Sequence, residues 1–153
     1  MCSSDLADYP AGVLGLGATV VTTRRRIAAD DFFTGLFSTA LEDGEIVLKV
    51  EFPLPKRAAY MKFAHPASGF SLTGSFVAET AGGMRVAVNG AGPCVFRWKD
   101  AETALGKALT PAAVDALTLA SDELNSDMHG DAAYRANLAK VMTRRAVQQM
   151  LGA

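Results

Sequence analysis

Hydrophobic and polar positions alternate with a period of two in two neighbouring stretches of the chain. Between Ala58 and Ala64, Tyr60, Lys62 and Ala64 fall on one side of a predicted strand, with Met61 and Phe63 on the other. Between Ser71 and Glu79, Leu72, Gly74, Phe76 and Ala78 alternate with Ser71, Thr73, Ser75 and Val77. The intervening His65-Pro66-Ala67-Ser68-Gly69-Phe70 holds proline and glycine as turn punctuators, and an aromatic that no hairpin turn requires. The pattern predicts strand, irregular loop, strand, with the flanking elements as supports. Ile46 to Phe52 reads as a further strand, stopped by Pro53 and Pro55. Past the tight turn Ala81-Gly82-Gly83, Met84 to Asn89 alternates strictly. These segments predict an antiparallel meander of three to four strands, to which Val95-Phe96-Arg97 can add a short one.

The period then lengthens. Asp100-Ala101-Glu102 opens a helix through Leu105 to Leu109, and Thr110-Pro111 starts another carrying Val114, Leu117 and Leu119. A last helix runs from about Asp131 to Leu151, with Tyr134, Leu138, Val141, Met142 and Ala146 as its apolar stripe. Strands followed by helices predict an α+β fold, an antiparallel sheet packed on a three-helix layer.

Upstream, the pattern is more broken. Met1 to Leu6 has no element of its own. Asp8-Tyr9-Pro10 reads as a helix start, with Asp8 as N-cap and Pro10 in the first turn. Ala18 to Thr23 is a β-branched strand that turns through Arg24-Arg25-Arg26 into Ile27-Ala28. Ala29-Asp30-Asp31 caps a second short helix containing Phe32, Phe33, Leu36 and Phe37. Residues 1–40 form no closed unit in this reading and are the end of a larger domain; the domain proper runs over 41–153. Their apolar residues Val13, Leu14, Leu16, Val20, Phe32 and Phe33 are expected to seek a partner layer, with self-association into a homo-oligomer as one outcome.

Composition narrows the function classes. With 153 residues, 50% hydrophobic and 20% charged, the chain can bury a real core. A formal net charge of −1 makes no case for nucleic acid or an anionic membrane. The arginine run reads as a solvated turn. No apolar run has the length of a membrane span, and the first residues lack the core of a signal peptide. Cys2 and Cys94 have no metal-ligand spacing, which fits a reducing cytoplasm.

The chemical inventory is thin. His65 and His129 stand far apart in sequence and read as ordinary loop histidines. Ser68 lies in no nucleophile-elbow context. Asn89-Gly90-Ala91-Gly92 has the glycine spacing of a phosphate loop, but Pro93 blocks the helix that would bind the anion, so it reads as a turn. Glu42, Asp43 and Glu45 beside Gly44 read as solvated turn residues.

Several dispersed blocks, in order, carry a family resemblance. Asp31-Phe32-Phe33-Thr34-Gly35, then Thr39-Ala40-Leu41-Glu42 and Gly44-Glu45-Ile46, resemble an FFTG…TALxxGEI signature. Ala59-Tyr60-x-Lys62-Phe63 with Pro66-Ala67-Ser68-x-Phe70 resembles AYxKF-x-x-PAS-x-F, and Tyr134-Arg135 followed by Arg144-Arg145-Ala146-Val147 is similar to a YR…RRA helix. The family is that of the FAD-binding medium subunits of molybdenum hydroxylases, the carbon monoxide and xanthine dehydrogenases among them. The resemblance covers nearly the whole chain. Ala7-Asp8-Tyr9-Pro10-Ala11 resembles the segment just after the second of the family's two glycine-rich FAD loops, of AGGHS and TIGG type; neither loop occurs here. The resemblance therefore implies the C-terminal half of such a subunit, its FAD-binding domain truncated and its missing N-terminal half holding most of the cofactor.

That resemblance also carries the functional expectations. It implies FAD in the full subunit, a small partner subunit with 2Fe–2S clusters and a large one with the molybdenum cofactor, electrons passing to the flavin and on to an acceptor. The chain has no iron–sulfur or molybdenum ligand set of its own, and alone it is expected to be inactive. Asp8 matches an aspartate that hydrogen-bonds FAD, and also reads as a helix cap. Lys62 matches a lysine at the flavin, where a cation can stabilise the anionic reduced ring; otherwise it is a solvated strand lysine. Phe70 matches an aromatic beside the isoalloxazine ring, with core packing as the other reading. The alternative function is a non-catalytic binding or assembly module that kept the fold and lost the cofactor.

Overall fold

The computed structural model describes residues 7–152, so Met1 to Leu6 and Ala153 lie outside the described residues. Helix α1 (Tyr9–Leu16) ends at Gly17, whose left-handed φ of 65° turns the chain into β1 (Thr19–Thr22). β1 pairs antiparallel with β2 (Arg26–Ala28) on one side and with β5 (Val47–Glu51) on the other. Between them lie α2 (Ala29–Phe32) and a small hairpin of β3 (Phe33–Gly35) and β4 (Ser38–Thr39).

The second sheet is the predicted meander. β6 (Arg57–Ala64), β7 (Ser71–Thr80), β8 (Gly83–Asn89) and β9 (Phe96–Arg97) pair antiparallel in chain order. Helices α3 (Lys99–Lys107), α4 (Ala112–Asp115) and α5 (Ala132–Leu151) cover one face, enclosing Val77, Val86, Val88, Leu105, Val114, Ala139, Ala146 and Val147 in one core. Inside that core the Ser75 and Thr143 hydroxyls meet at 2.7 Å, joining β7 to α5.

The opposite face is covered too, and by the first part of the chain. Val13, Leu14, Val20, Ile27 and Phe32 form a second core with Ala87, Phe76 and Tyr60 of the meander. α1 lies so close to β7 that a Cβ on Gly15 would come within 2.4 Å of the Phe76 ring. Arg85 of β8 closes the contact: its Nη2 donates to the Leu14 carbonyl at 2.7 Å and pairs with Asp30 at 2.9 Å.

Four expectations are corrected by these contacts. The strand around Ile46–Phe52 leaves the meander to pair with β1, because a two-stranded ribbon is marginal without a third strand. The helix predicted over Ala29–Phe37 stops at Phe32, after which aromatic Phe33 and Gly35 enter the hairpin; Phe37 sits at its tip with φ of 52°. The helix from Thr110 is only Ala112–Asp115, and Leu117 and Leu119 pack from coil. The apolar faces expected to be uncovered are also largely buried, Val13, Val20 and Phe32 completely.

Of the turn carboxylates, Glu42 and Asp43 stay exposed as read, but Glu45 does not. Glu45 is buried, accepting from the Thr22 hydroxyl at 2.6 Å and from Arg25 Nε at 3.2 Å. Arg25 and Arg24 thus belong to a local ion-pair network with Glu45 and Glu42.

Candidate functional site

α1 begins like a capped helix, yet its cap is not made by a side chain. Asp8 occupies the N-cap position with helical backbone angles, and its carboxylate accepts no cap hydrogen bond. Pro10 removes one of the amides a cap would serve. The carboxylate instead turns to β6, where Lys62 Nζ lies 2.6 Å from Oδ2 and the Tyr60 hydroxyl donates to Oδ1 at 2.8 Å. The two predicted site residues are therefore in direct contact, across 54 positions of sequence.

Lys62 has a second partner, the Gly69 carbonyl, at 3.0 Å. This bond holds the end of the 65–70 loop against β6, one residue before Phe70. Phe70 is 52% exposed, so core packing does not account for it. Lys62 and Asp8 also keep access to water, their side chains 31% and 44% exposed. A carboxylate, an ammonium and an open aromatic ring thus share one rim of the meander.

Two residues missed by sequence reasoning set this rim. Asn89, fully buried at the end of β8, has its Oδ1 3.2 Å from the Tyr60 hydroxyl and donates from Nδ2 to the Ala7 carbonyl at 2.9 Å. Gly74 lies between Lys62 and Asn89 in the register of the three strands. A Cβ there would come within 2.4 Å of both Tyr60 Oη and Asn89 Oδ1. A glycine inside a strand is the signal that could have found the cluster, since it marks close approach. Burial, and then the Asp8 carboxylate, push the Tyr60 phenol well up, so its hydroxyl stays a donor.

Behind the loop is a cleft of about 180 Å³ lined by His65, Ser68, Phe70, Asp127, His129 and Arg135, among others. Here the expectation of two unrelated histidines is overturned: His65 Nε2 lies 3.2 Å from His129 Nδ1. The cause is Arg135, buried on α5, which gathers the 127–130 turn and the sheet by binding Asp127 at 2.7 Å, the Leu72 carbonyl at 2.8 Å and the Gly90 carbonyl at 2.9 Å. Ser68 Oγ accepts the Phe70 amide at 3.3 Å, a turn contact. No group of three or more metal-ligating acids, histidines or cysteines occurs among the described residues. The rim offers charge, hydrogen bonds and an apolar face rather than a nucleophile with a base.

Comparison with known proteins agrees over both parts of the chain. Residues 55–150 match the CO dehydrogenase flavoprotein C-terminal domain, and residues 1–55 match the FAD binding domain in molybdopterin dehydrogenase. The nicotine 6-hydroxylase medium subunit of Paenarthrobacter nicotinovorans is 34% identical over 92% of this chain and 54% of its own length. The carbon monoxide dehydrogenase medium chain of Hydrogenophaga pseudoflava is 30% identical over the same shares. In three dimensions, a chain of reconstituted CO dehydrogenase from Oligotropha carboxidovorans matches with a TM-score of 0.87 at 28% identity, over 98% of this chain and 58% of that one. The chain spans about half the length of the curated relatives it matches. By its sequence and its fold alike, the chain belongs to the family of CO dehydrogenase flavoprotein C-terminal domains.

Proposed function

We propose that this chain serves in the flavin-carrying medium subunit of a molybdenum hydroxylase, covering the isoalloxazine end of FAD and docking partner subunits. One observation carries the reading: Asp8, Lys62 and the loop of Phe70 are tied together at one accessible rim. The residues fit the group. Phe70 offers a flat apolar face, Lys62 a cation able to face an anionic reduced ring, and Asp8 a hydrogen-bond acceptor. FAD, when held there, would supply the electron-carrying chemistry. The chain's own residues orient the ring, exclude water from one side and set the local charge.

Tyr60 and Asn89 hold Asp8 and the backbone before it in place. The Asp8–Lys62 pair keeps the ammonium at the loop. Phosphate contacts fall to AGGHS- and TIGG-type loops, which this sequence does not contain. The subunit would receive electrons from a small subunit with 2Fe–2S clusters, fed by a large subunit with the molybdenum cofactor, in the reducing cytoplasm. A division of the chain after β5, rather than near residue 40, is supported by the pairing of β5 with β1. A cofactor-free assembly module is disfavoured, because the cation, acceptor and aromatic are retained side by side.

The test is a longer polypeptide in which the two glycine-rich loops precede this chain. FAD should co-purify in stoichiometric amount, and Lys62→Met should lower the flavin's reduction potential while the fold persists. Recovery of that polypeptide folded but colourless, even with added FAD, would sink the reading.

A further inference from the structure

The histidine pair behind the Phe70 loop has a defined proton arrangement. His65 Nδ1 accepts the Ala67 amide at 3.2 Å, so the proton of a neutral His65 sits on Nε2. That Nε2 faces His129 Nδ1 at 3.2 Å, with the rings at 83° and their centroids 4.4 Å apart. His65 therefore donates and His129 accepts, leaving the His129 proton on Nε2. The loop that carries Phe70 is fastened in this way to the 127–130 turn, which Arg135 anchors through Asp127 and the Gly130 carbonyl.

We infer that His129, acting through His65, is a positioning residue for the loop that carries Phe70, and that a proton on His129 Nδ1 would break the link. An added proton on His65 goes to Nδ1, where it meets the Ala67 N–H. An added proton on His129 goes to Nδ1, where it meets the His65 N–H. Only the proton on His129 places two donors face to face across the link; one on His65 removes the Ala67 bond and leaves Nε2–H donating to His129.

The surrounding charges are already engaged. Asp127 accepts the His129 amide at 2.9 Å and pairs with Arg135, and Lys62 is held by Asp8 and Gly69. Asp131 caps α5 through the Tyr134 amide. The latch is thus the hydrogen bond between the two rings itself. A metal ion on the same two nitrogens would require the His65 proton on Nδ1, opposite another N–H, so the geometry favours the hydrogen bond. The latch needs no cofactor, whereas its bearing on a flavin rests on the proposed function.

The test uses this chain without flavin, so its outcome is separate from that of the cofactor reading. Imidazole nitrogen–proton correlation spectra at about pH 8 should show the His65 proton on Nε2. At the same pH, His129→Phe should lower amide protection at His65 and Gly69 about five-fold relative to β7, the loss of one net hydrogen bond, while His129→Asn, which keeps an acceptor, should hold the loop. A His65 proton found on Nδ1, or loop protection that His129→Phe leaves unchanged, overturns the inference.

Discussion

Gly74 and Tyr60 occupy one space between them: a Cβ on Gly74 would lie 2.4 Å from the Tyr60 hydroxyl oxygen. The same Cβ would crowd Asn89 Oδ1, and neither partner can withdraw without losing a contact to Asp8 or Ala7. Gly74→Ala should therefore destabilise the chain by about 1–3 kcal/mol, the usual effect of overpacking. A denaturant midpoint equal to that of the wild type would show that the cluster yields at little expense.

Phe70 and Phe32 should respond very differently to truncation. Phe32 is wholly buried, and Phe32→Ala should cost about 3–5 kcal/mol. Phe70→Ala should change the stability of this chain by less than about 0.5 kcal/mol. In a flavin-loaded longer polypeptide, Phe70→Ala should weaken FAD retention on dialysis. A core-sized loss on denaturant titration would make Phe70 a packing residue and end its assignment to the flavin.

The chain alone should be purified colourless. The rim can contribute stacking of about 0.5–1.5 kcal/mol and a few polar contacts, far from the roughly 8 kcal/mol of micromolar affinity. Flavin fluorescence titration should give no saturation in the low micromolar range. A yellow, stoichiometric preparation would mean that the chain holds FAD without glycine-rich loops.

Acid should expose the role of Glu45. Hydrogen bonds from Arg25, then the Thr22 hydroxyl and the Glu42 amide, hold its carboxyl at about 2 instead of 4.5. A carboxyl depressed in the folded state stabilises it above the unfolded value, and that contribution disappears as pH falls through the folded one. Glu45→Gln should then flatten the loss of stability between about pH 5 and about pH 2. Glu51, lowered to about 2 by Arg26 and Lys49, retains part of the slope in that variant. An unaltered acid limb in Glu45→Gln would assign the slope elsewhere.

The sheet and the last helix were legible because one period governs each. β6, β7 and β8 form over the stretches read as strands, although β7 is buried on both faces, and α5 runs to Leu151 with Asp131 as its cap. Local signals misled where a distant partner decided the outcome. Asp8 looks like a helix cap, and only the arrival of Tyr60 and Lys62 shows where its carboxylate goes. Val47–Glu51 reads as a strand, but nothing within it names β1 as the neighbour. Leu117 and Leu119 have helical spacing, yet they reach the core without a helix. His65 and His129 lie 64 positions apart, and their meeting depends on a buried arginine that neither one contains in its own segment.

The covering of both sheet faces has a mechanical consequence. The first part of the chain, through β5, is joined to the second by the stretch Phe52–Lys56, whose Leu54 side chain is 94% exposed. The two parts are also pinned by Asp8–Lys62, Asn89–Ala7, Arg85–Leu14 and the shared core around Phe76. Covalent continuity at Leu54 should thus be dispensable once folding is complete. A single protease cut there should yield two bands under denaturing electrophoresis and one particle in gel filtration, the halves clasped like a hinge whose pin has been withdrawn but whose leaves stay shut.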